Sequence, residues 1–268
     1  GFTGPIGSLE LDGTESRVLS SGIDGIVRAW DLGKAAPLES LWQFESLGTN
    51  IAGNQRGDLA IAVSLGSEPV LLDVRSASDD LLVHALGMKG GRLVDISPNT
   101  DRIVVGIGPT KASVIDVASR AIVAELNGHT NVVVNIEYSP GGDELLTASW
   151  DGTARVWDAE TGEELAELAH GETTVYAAHW TSDGSRIITG TSSGMINIWD
   201  RSDVSKPQVS VLAHTTAVTA IQELTNRGEI VSAADNGNMR RWDAETLQQL
   251  GEIRSGGTGV RSMDLSKD

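Results

Sequence analysis

Four side chains in the middle of the chain, His129, Ser149, Asp151 and Trp157, bring an imidazole, a hydroxyl, a carboxylate and an indole into one stretch. The first three are the parts of a serine hydrolase, in which the imidazole takes the hydroxyl proton and the carboxylate orients the imidazole. Such a site needs an exposed serine beside oxyanion donors, and one copy suffices. Here the parts thin out along the chain. A later stretch keeps Thr191 and Trp199 with Ser193 where the aspartate stood, and the next keeps His214 and Trp242 with Asn236 there. Graded loss of this kind suits a repeated scaffold better than a catalyst.

Other short motifs reduce to turns. GIGPTK at 106–111 resembles a phosphate loop, but that loop requires Gly-x4-Gly-Lys-Ser/Thr between a strand and a helix, and no helix is expected after it. RGD at 56–58 falls where two strands should reverse. The five histidines, at 84, 129, 170, 179 and 214, lack the paired spacing of metal ligands, so neither a metal nor a cofactor is expected.

The segments that carry these residues recur. Trp30-Asp31, Trp157-Asp158, Trp199-Asp200 and Trp242-Asp243 each close an alternating segment, and Leu72-Asp73 and Ile115-Asp116 fill the gap. The aspartates stand at 31, 73, 116, 158, 200 and 243, a spacing of 42 or 43 throughout. Six units follow, with limits near 1–42, 43–85, 86–127, 128–169, 170–212 and 213–255. Within the fourth, VVVNIEYSP alternates, GGD turns, ELLTAS is a second strand, WDG turns, TARVWD is a third, AETG turns and EELAEL is the fourth. Glycine six residues before the closing aspartate, at Gly25, Gly152, Gly194 and Gly237, joins second and third strands alike in four units. The helical period is absent, and the expected class is all-β.

These residues resemble the WD40 repeat family, whose units are the four-stranded blades of a β-propeller. The resemblance covers essentially the whole chain and is weakest in the second and third units, where Leu72 and Ile115 replace tryptophan. It implies one propeller domain over 1–268. It also implies that His129, Ser149, Asp151 and Trp157 form a buried hydrogen-bonded tetrad tying the third strand to an inner turn. In this family the loop between second and third strands opens onto the face that receives partners, so Trp150 becomes a candidate anchor, with Ile23, Ser192 and Asp235 at equivalent turns. Arg92, Val134, Tyr176 and Thr219 take the family's other positions on that face. Large apolar side chains at such a rim serve as interaction anchors. The alternative places Trp150 against the neighbouring blade.

Composition narrows the partners. The 268 residues carry a formal charge of −17, which repels phosphate and anionic lipid, so neither nucleic acid nor a membrane is expected. The chain has no cysteine, which excludes disulfides and thiolate chemistry and permits a reducing, cytoplasmic location. No apolar run reaches the roughly 18 residues of a membrane span. The first residue is Gly1, from which a processed or excised piece is expected.

The functional expectation is a non-catalytic module that binds a protein or peptide, or neighbouring domains of a parent chain, or senses a ligand. A looser similarity to the C-terminal propellers of bacterial multidomain signalling proteins, including STAND-type NTPases, implies a sensing or autoinhibiting role. A propeller enzyme, hydrolase or lyase, with carboxylates at the central channel, and an assembly scaffold are the alternatives. Finally, GGTGVRSMDLSKD at 256–268 aligns with the start of a further unit. The expectation is six blades plus the first strand of a seventh, an incomplete ring open to association.

Overall fold

The computed structural model describes residues 6–11, 17–22, 24–31, 36–44, 49–53, 59–64, 67–73, 83–85, 93–254, 259–260 and 263. The chain falls into two compact units, Gly1–Asn127 and Gly128–Asp268. Among the described residues each unit is built of three four-stranded antiparallel sheets, and no helix occurs.

In the first unit β1 (Ile6–Leu11), β2 (Arg17–Gly22), β3 (Ile26–Asp31) and β4 (Ala36–Gln43) form one sheet, ending one residue beyond the limit expected for the first repeat. The next is β5 (Thr49–Gly53), β6 (Leu59–Ser64), β7 (Val70–Asp73) and β8 (Val83–Ala85), followed by β9 (Val94–Ile96), β10 (Arg102–Ile107), β11 (Lys111–Asp116) and β12 (Ile122–Asn127). In the second unit the sheets are β13 (Val133–Tyr138), β14 (Glu144–Ser149), β15 (Thr153–Asp158) and β16 (Glu164–Ala169); β17 (Val175–Trp180), β18 (Arg186–Thr191), β19 (Met195–Asp200) and β20 (Val209–Leu212); and β21 (Val218–Leu224), β22 (Glu229–Ala234), β23 (Asn238–Asp243) and β24 (Gln249–Arg254). Every sheet runs in chain order.

Turn chemistry sets the strand limits. Gly194 N–H donates to the Thr191 carbonyl at 3.1 Å, and Gly237 N–H to the Ala234 carbonyl at 2.9 Å, closing the β18–β19 and β22–β23 turns. At Gly194 φ is +83°, and a Cβ there would lie 2.0 Å from the His214 carbonyl oxygen. Gly152 is alike, at φ +88° and 2.5 Å from the Gly171 oxygen. Only glycine meets both demands, so each turn seats itself under the loop that enters the next sheet. GIGPTK likewise spans the β10–β11 turn, with strands on both sides.

Period-2 alternation then divides each central strand between two neighbours. Ile187 joins Leu146, Val156 and Leu168 of the sheet before it, whereas Ile188 joins Ile221, Ile230 and Trp242 of the sheet after it. In the first unit Ala62 packs with Leu19 and Val27 while Ile61 packs with Val94 and Ile103. Leu72 and Ile115, which stand where other repeats have tryptophan, are fully buried in these cores. β12, β16 and β20, the fourth strands of their sheets, are largely exposed. On β16, Glu164 and Glu167 each meet an Arg155 nitrogen at 2.9 Å, and such charges blunt an edge against further pairing.

The expected first strand of a seventh unit is not formed among the described residues of 256–268. Gly259, Val260 and Met263 are not in a strand. They are held instead by isolated bonds to the last sheet: Val260 N–H to the Ala234 carbonyl at 3.4 Å, the Thr219 hydroxyl to the Val260 carbonyl, and the Gln222 amide to the Met263 carbonyl at 3.3 Å. Gly259 has φ +59°, outside the extended backbone that a strand requires. The other residues of 256–268 lie outside the described residues.

Candidate functional site

The hydrolase-like residues are joined, with one exchange. His129 Nδ1 lies 2.7 Å from Asp151 Oδ2, and His129 Nε2 lies 2.7 Å from Thr147 Oγ1, not from Ser149. The Trp157 indole N–H donates to the same Thr147 oxygen at 2.9 Å. Ser149 is buried elsewhere, donating to the Asn131 carbonyl at 3.1 Å and accepting from Asp151 N–H at 3.1 Å. The reason is register. Leu145 pairs with Trp157 and Thr147 with Arg155, so Thr147 is the diagonal neighbour of Trp157 on one sheet face. Ser149 lies on that face about 7 Å further along the strand.

The hydrogen-bond directions follow from the partners. The Thr147 hydroxyl accepts from the indole and donates to a neutral imidazole, whose Nδ1–H donates to the carboxylate. Burial holds the His129 pKa below its ordinary value against the pull of Asp151. Burial alone would raise Asp151, but hydrogen bonds from Thr153, His129 and the Thr130 N–H outweigh it and hold the carboxyl at about 2. Thr147 is 1% exposed and its oxygen already takes the indole proton, so this hydroxyl meets neither substrate nor oxyanion donors.

The arrangement recurs. His170 Nε2 is 2.7 Å from Thr189 Oγ1, which accepts from Trp199 at 2.9 Å, with Leu168 O 2.9 Å from His170 Nδ1. His214 Nε2 is 2.7 Å from Ser232 Oγ, which accepts from Trp242 at 2.8 Å. In the first unit the Trp30 indole donates to Ser20 at 2.5 Å. The sequence reading named Thr191 where Thr189 serves, and it overlooked His170; Thr191 bonds Ser193 at 2.9 Å. The signal was a constant one: the hydroxyl stands ten residues before the tryptophan in all four sheets.

Of the remaining candidates, Trp150, Tyr176, Val134, Thr219, Ser192 and Asp235 belong to the second unit, at or beside these turns. Trp150 is 39% exposed against 1% for Trp157. Its ring centroid is 5.9 Å from that of Tyr176 in the following sheet, the planes inclined at 52°. Trp150 N–H donates to Val132 O at 2.9 Å, as Ser192 does to Thr174 O at 2.9 Å and Asp235 to Ala217 O at 3.0 Å, so the three occupy one equivalent position. Ser192 is half-buried and Asp235 exposed.

Val134, Tyr176 and Thr219 share a feature the alternation did not reveal. The register shifts between Val133 and Asn135, between Val175 and Ala177, and between Val218 and Ala220, so each is the extra residue of a β-bulge in its first strand. A bulge re-aims a side chain and ends regular pairing. All three are half-buried, and Thr219 is engaged with the carbonyls of Ala233 and Val260. Arg92, Ile23 and the RGD tripeptide lie outside the described residues. Among the described residues no group of three or more His, Asp or Glu side chains could hold a metal ion.

Residues 120–158 and 162–200 match the WD40 family, the WD domain or G-beta repeat. These two segments take in most of the fourth and fifth sheets, whose strand order and Trp-hydroxyl-His chains recur in the sixth. These two segments are thus WD40-type repeats, and the four-stranded sheets they fall in have the build of β-propeller blades. No curated protein matches it in sequence.

Proposed function

We propose that the chain is a non-catalytic interaction module whose partner-binding face is the rim that carries Trp150 and Tyr176. The observation behind this reading is the contrast between two tryptophans seven residues apart. Trp157 is sealed in a hydrogen-bonded core, whereas Trp150 spends a large apolar surface at a turn, braced by an aromatic on a bulge of the next blade. Exposed aromatics at well-supported positions are the usual anchors of protein contacts. A WD40 architecture is consistent with a protein or peptide partner, and the only hydroxyl-imidazole-carboxylate chain among the described residues is buried and saturated.

Within this proposal the six sheets are blades of a single domain over 1–268, with Val134, Thr219, Ser192 and Asp235 around Trp150 and Tyr176, and Ile23 and Arg92 as further members. A cytoplasmic signalling or scaffold role, in the manner of propellers on STAND-type proteins, belongs to the same reading. Affinity capture with wild-type protein and Trp150→Ala side by side tests it. The expected result is loss of specific partners from the variant, and identical partner lists would remove the anchor.

A further inference from the structure

We propose that the Trp150–Tyr176 corner receives a cationic side chain, an arginine or lysine of a basic peptide segment; the inference rests on the rim being the binding face and names what it binds. The first support is the rings themselves. The face of an aromatic ring is the negative side of its quadrupole and attracts a guanidinium or ammonium placed within about 6 Å of its centre. With centroids 5.9 Å apart and planes at 52°, the two rings form a corner in which one cation reaches both.

The second support is charge. The loops at this end of the second unit, 128–132, 150–152, 170–174, 192–194, 213–217 and 235–237, contain Asp151, Glu172 and Asp235 and no lysine or arginine. Glu172 and Asp235 are exposed. The loop of Glu172 is seated on the turn that follows Trp150, since a Cβ on Gly152 would touch Gly171 O at 2.5 Å and Thr173 O at 3.4 Å. Asp151, next to Trp150, is buried and held ionised by hydrogen bonds from Thr153, His129 and the Thr130 N–H, so it adds negative charge beneath the loops without meeting a ligand directly.

Two arginines of the neighbouring strands also reach these loops, Arg155 beside Gly128 and Arg240 at Ala213, but each is already engaged. Arg155 bonds Glu164 and Glu167 at 2.9 Å, and Arg240 bonds the Ala213 carbonyl and approaches Glu252 at 4.0 Å. An anionic or phosphorylated ligand would meet the exposed carboxylates of Glu172 and Asp235. A purely apolar anchor would make no use of the exposed carboxylates of Glu172 and Asp235. Charge complementarity with a chain of −17 therefore selects the basic segment.

The test uses two otherwise identical ten-residue peptides, one with central arginine and lysine residues and one with norleucine in their place. Binding is measured by calorimetry for wild type and every variant, and in the wild type the indole N–H signal of Trp150, assigned through Trp150→Phe, reports whether the peptide reaches the corner. The expected result is at least tenfold tighter binding of the cationic peptide, weakening with added salt, lost in Trp150→Ala and in Tyr176→Ala, and partly kept in Trp150→Phe. Equal, Trp150-dependent binding of the norleucine peptide would overturn the cation proposal and leave the rim as a binding face. Equal binding of the cationic peptide to wild type and Trp150→Ala would overturn both. No response of the Trp150 signal to either peptide also overturns the cation proposal, and partner capture then decides the rim separately.

Discussion

Thr147 and Trp157 stand diagonally across β14 and β15, and the threonine oxygen takes the indole proton while giving its own to His129. Replacing Thr147 with valine keeps the shape and removes both bonds. The indole N–H and the imidazole Nε2 then lose their Thr147 partner inside the core, at a cost of about 1–3 kcal/mol. Thr147→Ser should be mild, because Ser232 performs the same task in the last sheet. Ser149→Ala removes bonds to the Asn131 carbonyl and Asp151 N–H but leaves the chain intact, and should cost about 1 kcal/mol. Urea midpoints rank the three; Ser149→Ala worse than Thr147→Val would restore Ser149 to the chain.

Much of this architecture was legible because two markers bracket each hairpin. The glycine turn and the Trp-Asp pair fix the limits of β14 and β15, which fall where ELLTAS and TARVWD were read. The 42- or 43-residue spacing carried the pattern through Leu72 and Ile115, since a buried aliphatic fills the same slot as tryptophan. Thr147 was not legible from alternation, because Thr147 and Ser149 share one face and only the register says which is diagonal to Trp157. His170 was hidden by one residue of loop length: it stands 19 residues before its hydroxyl, against 18 for His129 and His214. The bulges at Val134, Tyr176 and Thr219 break the period that sequence reading relies on.

Buried neutral histidines make stability depend on pH. Burial lowers His170 and His214 to about 4, with Arg240 adding to the effect at His214, and it lowers His129 as well. An unfolded histidine titrates near 6.5. Between about 6.5 and 4 the unfolded chain therefore binds more protons than the folded one, so stability is full above that window and falls as the pH drops through it. Each histidine contributes at most about 1.4 kcal/mol per pH unit. Asp151, lowered to about 2, adds a second loss from about pH 4 downward. Urea midpoints at pH 7, 6 and 5 should decline, and less steeply in His214→Gln; a flat profile would mean that the imidazoles are not buried neutral.

Two glycines with similar backbones separate conformation from contact. Gly194 has φ +83° and would place a Cβ 2.0 Å from the His214 oxygen, whereas Gly171 has φ +68° and nothing within 4 Å. Gly171→Ala should cost only the backbone term, about 1–2 kcal/mol. Gly194→Ala adds displacement of the loop that carries His214, and its hydrogen bond to Ser232 with it. Thermal denaturation should place Gly194→Ala well below Gly171→Ala, and equal melting temperatures would show that the turn does not support the loop.

Trp150 and Trp157 should respond oppositely to removal. Trp157→Ala empties a fully buried site, leaves Thr147 and His129 to rearrange, and costs about 3–5 kcal/mol. Trp150→Ala removes a ring that is 39% exposed and makes a tilted aromatic contact with Tyr176, worth about 0.5–1.5 kcal/mol beyond its buried area. The backbone bond from Trp150 N–H to Val132 O survives the substitution. The variant should thus fold, melt within a few degrees of wild type, and differ in binding. A loss of stability from Trp150→Ala as large as that from Trp157→Ala would mean that the indole serves the packing between blades, and the rim would lose its anchor.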